Sequence, residues 1–268
     1  MTAIAVTIAG SDSSGGAGVQ ADLKTFAALG VYGASVFAAL TAQNTERVTA
    51  IHDVPPDFIA AQIDAVYSDL DIGAAKTGML SRAVAIEAVA KGVARHKAKN
   101  IVVDPVMVAS TGAQLLADSA VEAMRKVLIP LALVVTPNLP EAALLTGATR
   151  ARNEEEMEAQ AHEILALGAR HVLIKGGHGS GPDSVDLLVG DGKVLRLSAP
   201  RTATSNTHGS GCTLSSAIAA GLAKGRDLVT AVREAKTYVT GAIAAADRLK
   251  IGHGHGPLHH FHSHWSEE

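Results

Sequence analysis

The residues best suited to chemistry lie in one stretch, Asn206-Thr207-His208-Gly209-Ser210-Gly211-Cys212-Thr213-Leu214-Ser215-Ser216-Ala217, where a glycine-rich turn joins an Ala-rich helical run. Gly209 and Gly211 allow backbone conformations closed to other residues, and a helix starting behind them presents unpaired N–H groups and a partial positive charge. Such a turn holds an anion, and phosphate follows naturally. A plainer reading is a tight loop in which Ser210 or Thr213 caps the helix. Cys212 shifts the balance toward chemistry. It is the only cysteine in 268 residues, it stands between a glycine and Thr213 rather than among bulky apolar side chains, and the helix-end field is expected to depress its thiol pKa from about 8.5. Its alternative role is that of an inert small hydrophobe.

Other candidate residues fall where apolar runs end. Ala3 to Ala9 reads as a strand buried on both faces, followed by Gly10 and the polar loop Ser11-Asp12-Ser13-Ser14-Gly15-Gly16-Ala17-Gly18. Open α/β sheets place ligands at such strand ends, so this loop is a second candidate site. Gly16 to Ala21 matches a dinucleotide fingerprint loosely, but it stands too far from the strand end and has no acid near the expected offset. No Gly-Lys-Ser/Thr phosphate loop occurs either. Gln43, after a strand over 31–40, either bonds a turn or reads a heterocycle, since its amide both donates and accepts. Asp104 follows Ile101-Val102-Val103 and must cap something or face a cation, because a buried lone carboxylate is costly. Asn138-Leu139-Pro140-Glu141 fits a capping box. A part for Glu141 or Asp104 beside Mg²⁺ would run through water or phosphate, since that ion keeps much of its hydration. Lys175, just before Gly176-Gly177, is either a solvated surface residue or a contact for an incoming phosphate.

These strand ends need elements behind them. Val19, Leu23 and Phe26 recur at helical spacing, as do Ile59, Ile63, Val66 and Leu70 after Pro55-Pro56, then Ile86, Val89 and Val93, and Val121, Met124 and Leu128. Strands are expected at 72–76, 101–103, 131–135 and 171–175 between them. Met157, Ala161, Ile164 and Leu165 mark a helix ending at Gly168, and Leu228, Val232, Ala235 and Val239 a long last one. Residues 185–189 and 193–197 around Gly190-Asp191-Gly192 form a β-hairpin that breaks the alternation. With no internal repeat or linker, residues 1–268 are expected to be one α/β domain.

Composition narrows the partners. A net charge of −3 and a pI near 6.5 give no basic footprint for nucleic acid, and 3% aromatics offer few stacking platforms. A lone cysteine suits a reducing cytoplasm. With no leader or membrane span legible, a soluble, unprocessed protein is expected. The tail 253–268 is rich in histidine, from His253 to His264. Without cysteine or ordered zinc spacing, it reads as a packed or frayed terminus rather than a metal site.

The chain resembles the hydroxymethylpyrimidine/phosphomethylpyrimidine kinases of thiamine biosynthesis, in the ribokinase-like superfamily. The resemblance spans nearly its whole length and rests on Ala9 to Gly18 with Gln20 to Thr25, Ala42-Gln43-Asn44-Thr45, Lys76-Thr77-Gly78-Met79-Leu80, Thr136 to Ala142, Lys175-Gly176-Gly177-His178 and the glycine turn. It implies a three-layer α/β/α sandwich with a mostly parallel central sheet, ATP with Mg²⁺, two successive phosphorylations of a pyrimidine alcohol, and a homodimer. It also implies that Gln43 contacts the pyrimidine with Gly10, Asp22, Met79 and Val106 around the acceptor. Lys175 and Thr207 would lie near ATP, Asn138 and Glu141 in the metal-phosphate region, and Cys212 where sugar kinases carry an aspartate base. Ser210 departs from the threonine common between the glycines. The rival activity is pyridoxal phosphorylation, although Val108-Ala109-Ser110 lacks the second cysteine of some dual enzymes. A non-catalytic pyrimidine sensor would not need the intact turn at 209–212, and a nicotinamide oxidoreductase would use Gly16-Ala17-Gly18.

Overall fold

The apolar runs become the middle of one sheet in the computed structural model, which describes residues 1–107, 118–177 and 181–265. Ser110 and His178 lie outside these. Among the described residues the strands are β1 (Ile4–Gly10), β2 (Tyr32–Gln43), β3 (Val48–Asp53), β4 (Ala74–Thr77), β5 (Ile101–Val103), β6 (Val134–Val135), β7 (His171–Lys175), β8 (Asp183–Gly190) and β9 (Lys193–Pro200). The helices are α1 (Gly18–Ala28), α2 (Pro56–Asp69), α3 (Ala83–Arg95), α4 (Asp118–Ala123), α5 (Leu139–Thr146), α6 (Glu154–Leu165), α7 (Ser210–Ala223) and α8 (Leu228–Ala244). The sheet order is β3-β2-β1-β4-β5-β6-β7-β8-β9. Its centre is parallel, while β3, β8 and β9 pair antiparallel at the two edges.

Strand side chains alternate between two apolar layers, as the two-residue period requires. Val6, Ile8, Ile101, Val103, Val172 and Ile174 pack toward α2 to α6, whereas Ala5, Val102, Val134 and Leu173 pack toward α1, α7 and α8. The result is the expected three-layer α/β/α sandwich. The helical stripes behave accordingly: Ile59, Ile63, Ile86, Val89 and Val93 are all fully buried, each worth about 1.5–3 kcal/mol.

Three elements differ from their sequence expectation. β2 runs on to Gln43 and turns back into β3, whose side chains are mostly exposed on both faces, so no alternation announces it. The strand expected at 131–135 shrinks to Val134–Val135 because a π-helical turn (Met124–Leu128) and a 3₁₀ turn (Ile129–Leu131) consume the residues before it. The strand expected at 72–76 lies at Ala74–Thr77. No helix among the described residues is long and apolar enough to cross a membrane.

The tail packs. Leu258, His259 and His260 are buried, and Tyr238 donates its hydroxyl to His260 O at 2.7 Å. Just before them, His255 N donates to Thr45 O (3.0 Å), Gly256 N to Asn206 Oδ1 (3.0 Å), and His208 N to Gly256 O (3.1 Å). The segment therefore bridges the β2–β3 turn and the turn before α7.

Candidate active site

A cavity of about 740 Å³ opens where β1, β4, β5 and β7 end, lined by Gly10, Met79, Asp104 and Lys175 from those ends. The winding reverses here, since β2 lies on one side of β1 and β4 on the other. Ligands of open α/β sheets bind at such a reversal. The register of β1 against β2 shifts between Ala9 and Gly10, which moves Gly10 opposite Ala39, and its N–H donates to Met79 O at 3.0 Å. Gln43 and Val106 line the same cavity. The Gln43 amide lies between Thr41 Oγ1 (3.2 Å) and His208 Nε2 (3.5 Å), at a strand end rather than in a loop.

The glycine turn faces these strand ends across the cavity. Gly209 is the N-cap of α7 with φ 83°, and a Cβ there would collide with Gly16 O of the first loop. The turn and the first loop thus form one rim. Neither Ser210 nor Thr213 caps the helix: no side chain does, and Thr213 Oγ1 donates backward to Gly209 O at 2.8 Å. Helix end and cavity therefore meet directly, with Thr207, Gly209, Ser210, Gly211 and Cys212 in the lining. A Cβ on Gly211 would lie 3.1 Å from Lys175 Nζ and 3.7 Å from Asp104 Oδ2. Only glycine leaves that space open.

Lys175 is not a solvated surface residue. β7 delivers it beside Asn138, to which it is bridged, and its side chain is 13% exposed. Its Nζ donates to Asp104 Oδ1 at 2.8 Å and stands 3.9 Å from Glu141 Oε2. Asp104 thus faces a cation, and also accepts from Thr136 Oγ1 (3.0 Å) and Ser215 Oγ (3.3 Å). Burial opposes ionisation of Asp104, but Lys175 and then Lys76 more than offset it and its pKa falls. Burial pushes Glu141 the other way, up to about 7, although Lys175 pulls against it. For Lys175 itself, burial lowers the pKa and the two acids reverse this, so the ammonium persists. Asn138 and Glu141 form the expected capping box, with Glu141 N donating to Asn138 Oδ1 (2.9 Å) and Asn138 N to Glu141 Oε2 (2.8 Å).

Two expectations change. The helix-end field does not prevail at Cys212: burial pushes the thiol up to about 11, with Lys76 only partly countering it. Desolvation of the thiolate outweighs a partial charge that acts over one turn. Asp22 does not reach the cavity. Fully buried, it accepts from Lys76 Nζ (2.8 Å), Thr7 Oγ1 (2.6 Å) and Ser216 Oγ (2.6 Å) behind the lining.

Sequence reasoning gave no role to three residues that the site uses. Lys76 lies wholly buried in β4, where burial would lower its pKa but Asp22 raises it. Asp12, in the first loop, meets His208 Nε2 at 2.8 Å, and both line the cavity. The available signals were a lysine inside a strand and a histidine inside the turn motif. No group of three or more potential metal ligands is assembled among the described residues.

Comparison with known proteins agrees with this geometry. Residues 12–259 match the family model described as phosphomethylpyrimidine kinase. The chain is 59% identical over 267 residues to the hydroxymethylpyrimidine/phosphomethylpyrimidine kinase of Rhizobium meliloti, covering 100% of both chains. Among solved structures it is similar to the phosphomethylpyrimidine kinase from Clostridium difficile, with a TM-score of 0.80 and 45% identity over 90% of this chain and 99% of the other. It is also similar to the pyridoxal kinase from Staphylococcus aureus in complex with AMP-PCP and pyridoxal, with a TM-score of 0.90 and 36% identity over 98% and 95%. A cavity that joins a glycine turn at a helix start to the ends of the parallel strands, on this sheet and with these relatives, is that of a kinase, and the chain belongs to the phosphomethylpyrimidine kinase family of the ribokinase-like superfamily.

Proposed function

We propose that this enzyme uses ATP to phosphorylate 4-amino-5-hydroxymethyl-2-methylpyrimidine to its monophosphate and then to its diphosphate for thiamine biosynthesis. The observation that carries the reading is the single cavity that unites Gln43, Gly10, Met79 and Val106 with Lys175 and the turn Gly209 to Cys212. Gln43 pairs with the pyrimidine edge. The amides of Gly209, Ser210 and Gly211 and the Lys175 ammonium gather the charge of the transferring phosphoryl group, which is where most catalysis of this class resides. Thr207 sits beside the ATP phosphates. Asp22 acts from behind the wall, through Lys76 and α7. Cys212, a thiol at neutral pH, serves first as part of the anion turn, and as a proton acceptor from the alcohol only once ionised. The second acceptor is a phosphate oxygen that needs no base.

The uncapped start of α7 and the Lys175 ammonium beside Gly211 fit a phosphate. Mg²⁺ fits less directly, because Asp104 and Glu141 already share Lys175. Glu141, and Asp104 behind it, would hold the ion through water while the phosphate oxygens supply its inner ligands. On this reading residues 1–268 act as one domain, the enzyme works in the cytoplasm, and two copies form a homodimer.

A second reading, pyridoxal phosphorylation, is favoured by the fold likeness to the Staphylococcus aureus enzyme. ATP consumption with each acceptor decides between them. The hydroxymethylpyrimidine and its monophosphate should both be turned over, with kcat/KM above that for pyridoxal. Failure of the monophosphate, or a higher kcat/KM for pyridoxal, overturns the first reading.

A further inference from the structure

The amide of Gln43 has two isosteric ends, so the protons around it decide which way it faces. The structure sets Gln43 Oε1 3.2 Å from Thr41 Oγ1 and Nε2 3.5 Å from His208 Nε2, and a half-turn of the amide exchanges the two. Asp12 fixes the proton at the second place. Its Oδ1 accepts from Ser14 N (2.9 Å) and Ser14 Oγ (2.7 Å), and its Oδ2 from Ala17 N (2.8 Å). These bonds hold it as a carboxylate, which can only accept. The 2.8 Å contact from His208 Nε2 to Oδ2 therefore needs a hydrogen on Nε2, whether the ring is neutral or charged. Ser11 fixes the proton at the first place. Its carbonyl lies 2.9 Å from Thr41 Oγ1 and can only accept, which commits the single hydroxyl hydrogen. Thr41 Oγ1 thus presents a lone pair to Gln43, while His208 Nε2, its one hydrogen held by Asp12, has no lone pair to accept an amide N–H.

We infer that His208, held by Asp12, and Thr41, held by Ser11, are positioning residues that lock the Gln43 amide with its oxygen toward His208 and its nitrogen toward Thr41. At 3.5 Å the His208 contact is long for a hydrogen bond, so its sign matters more than its strength. The locked amide offers the cavity one N–H and one carbonyl lone pair in a fixed order. That order suits a ring carrying an acceptor nitrogen beside an exocyclic amino donor, and it allows only one in-plane orientation of the ring. A pyridine alcohol without the adjacent amino group satisfies the N–H alone. The inference rests on the proposed contact between Gln43 and the pyrimidine, and extends it to the residues that set its polarity.

The test compares the aminopyrimidine alcohol with pyridoxal under saturating ATP. His208→Leu leaves the amide oxygen against an apolar group and should raise KM for the aminopyrimidine about tenfold. KM for pyridoxal and KM for ATP should each stay within about twofold. His208→Gln, which keeps a donor in reach, should recover most of the loss. Thr41→Val should act like His208→Leu, and Thr41→Ser like the parent. Equal losses on both acceptors, or a raised KM for ATP, would mark a purely structural role and overturn the inference. In the unsubstituted protein, long-range ¹H–¹⁵N spectra should find His208 Nε2 protonated, and a bare Nε2 overturns it without any variant. Gln43→Leu separates this inference from the reading beneath it. If that variant keeps the parent KM, the pyrimidine contact itself fails. If it raises KM while His208→Leu does not, only the positioning role fails.

Discussion

Two lysine–aspartate pairs of equal length sit under the same helix and do different work. Lys76 meets Asp22 at 2.8 Å and Lys175 meets Asp104 at 2.8 Å. α7 sends Ser216 to Asp22 and Ser215 to Asp104. In the first pair both side chains are sealed and the carboxylate has Thr7 as a further donor. In the second the ammonium keeps an exposed face on the cavity and a second, more distant acid in Glu141. A saturated pair is a strut, since buried charges are tolerable only when fully partnered. An under-committed ammonium between two acids with opposite pKa shifts can turn toward an arriving anion. What distinguishes structure from catalysis here is the number of spare bonds rather than residue type.

Breaking the strut should have the largest effect. Lys76→Met leaves Asp22 buried without its counter-charge and should cost about 3–5 kcal/mol in urea unfolding. Adding Asp22→Leu should restore most of that loss. A cost below about 1 kcal/mol for the single variant would erase the contrast. At the second pair the loss should appear in turnover. Lys175→Met should lower kcat about 10²- to 10³-fold while the unfolding midpoint moves little, because Asp104, unlike Asp22, lines the cavity, where water can take the place of the ammonium. Equal damage to stability and rate would make the two pairs alike.

The third variant sharpens the chemistry between the pairs. Cys212→Ala should slow the alcohol step about 10²-fold and the phosphate step less than about tenfold in single turnover. With the thiol pushed up to about 11, the parent's alcohol rate should climb with pH above neutrality and the variant's should stay flat. Identical losses in both steps would leave Cys212 as anion turn alone.

The smallest expected effect concerns Glu141, whose pKa rises from 4.5 to about 7 in the fold. Between those values the unfolded chain ionises while the folded one keeps its proton, so this group erodes stability as pH rises through that window. Glu141→Gln keeps an acceptor for the cap and removes the erosion. Relative to the parent it should gain about 2 kcal/mol between pH 5.5 and pH 8 in urea unfolding. A constant difference across that range would show that Glu141 titrates normally.

The anion turn, the strand ends and the capping box were legible because each depends on local rules: a glycine pattern, apolar runs and a four-residue spacing. Residues whose roles come from distant partners were harder to read. Asp22 looks like a helix-face acid until Lys76 arrives 54 positions later. His208 gains its meaning from Asp12, 196 positions earlier. At Cys212 the sequence supplies the sign of the helix-end field but not the desolvation that outweighs it. β3 escapes notice because its mostly exposed side chains carry no burial rhythm.

The bridge formed by residues 253–257 sets an order of events during synthesis. Thr45 and His208, which line the cavity from the β2–β3 turn and the turn before α7, acquire their shared tether only when His255 and Gly256 reach them. At about 5–20 residues per second, some tens of seconds separate translation of Gln43 from translation of Gly256. Through that interval the sheet and most helices can form on the ribosome while the two rims stay untied. A nascent chain should therefore carry its sheet before it is competent, and ATP turnover begins only once Gly256 has docked.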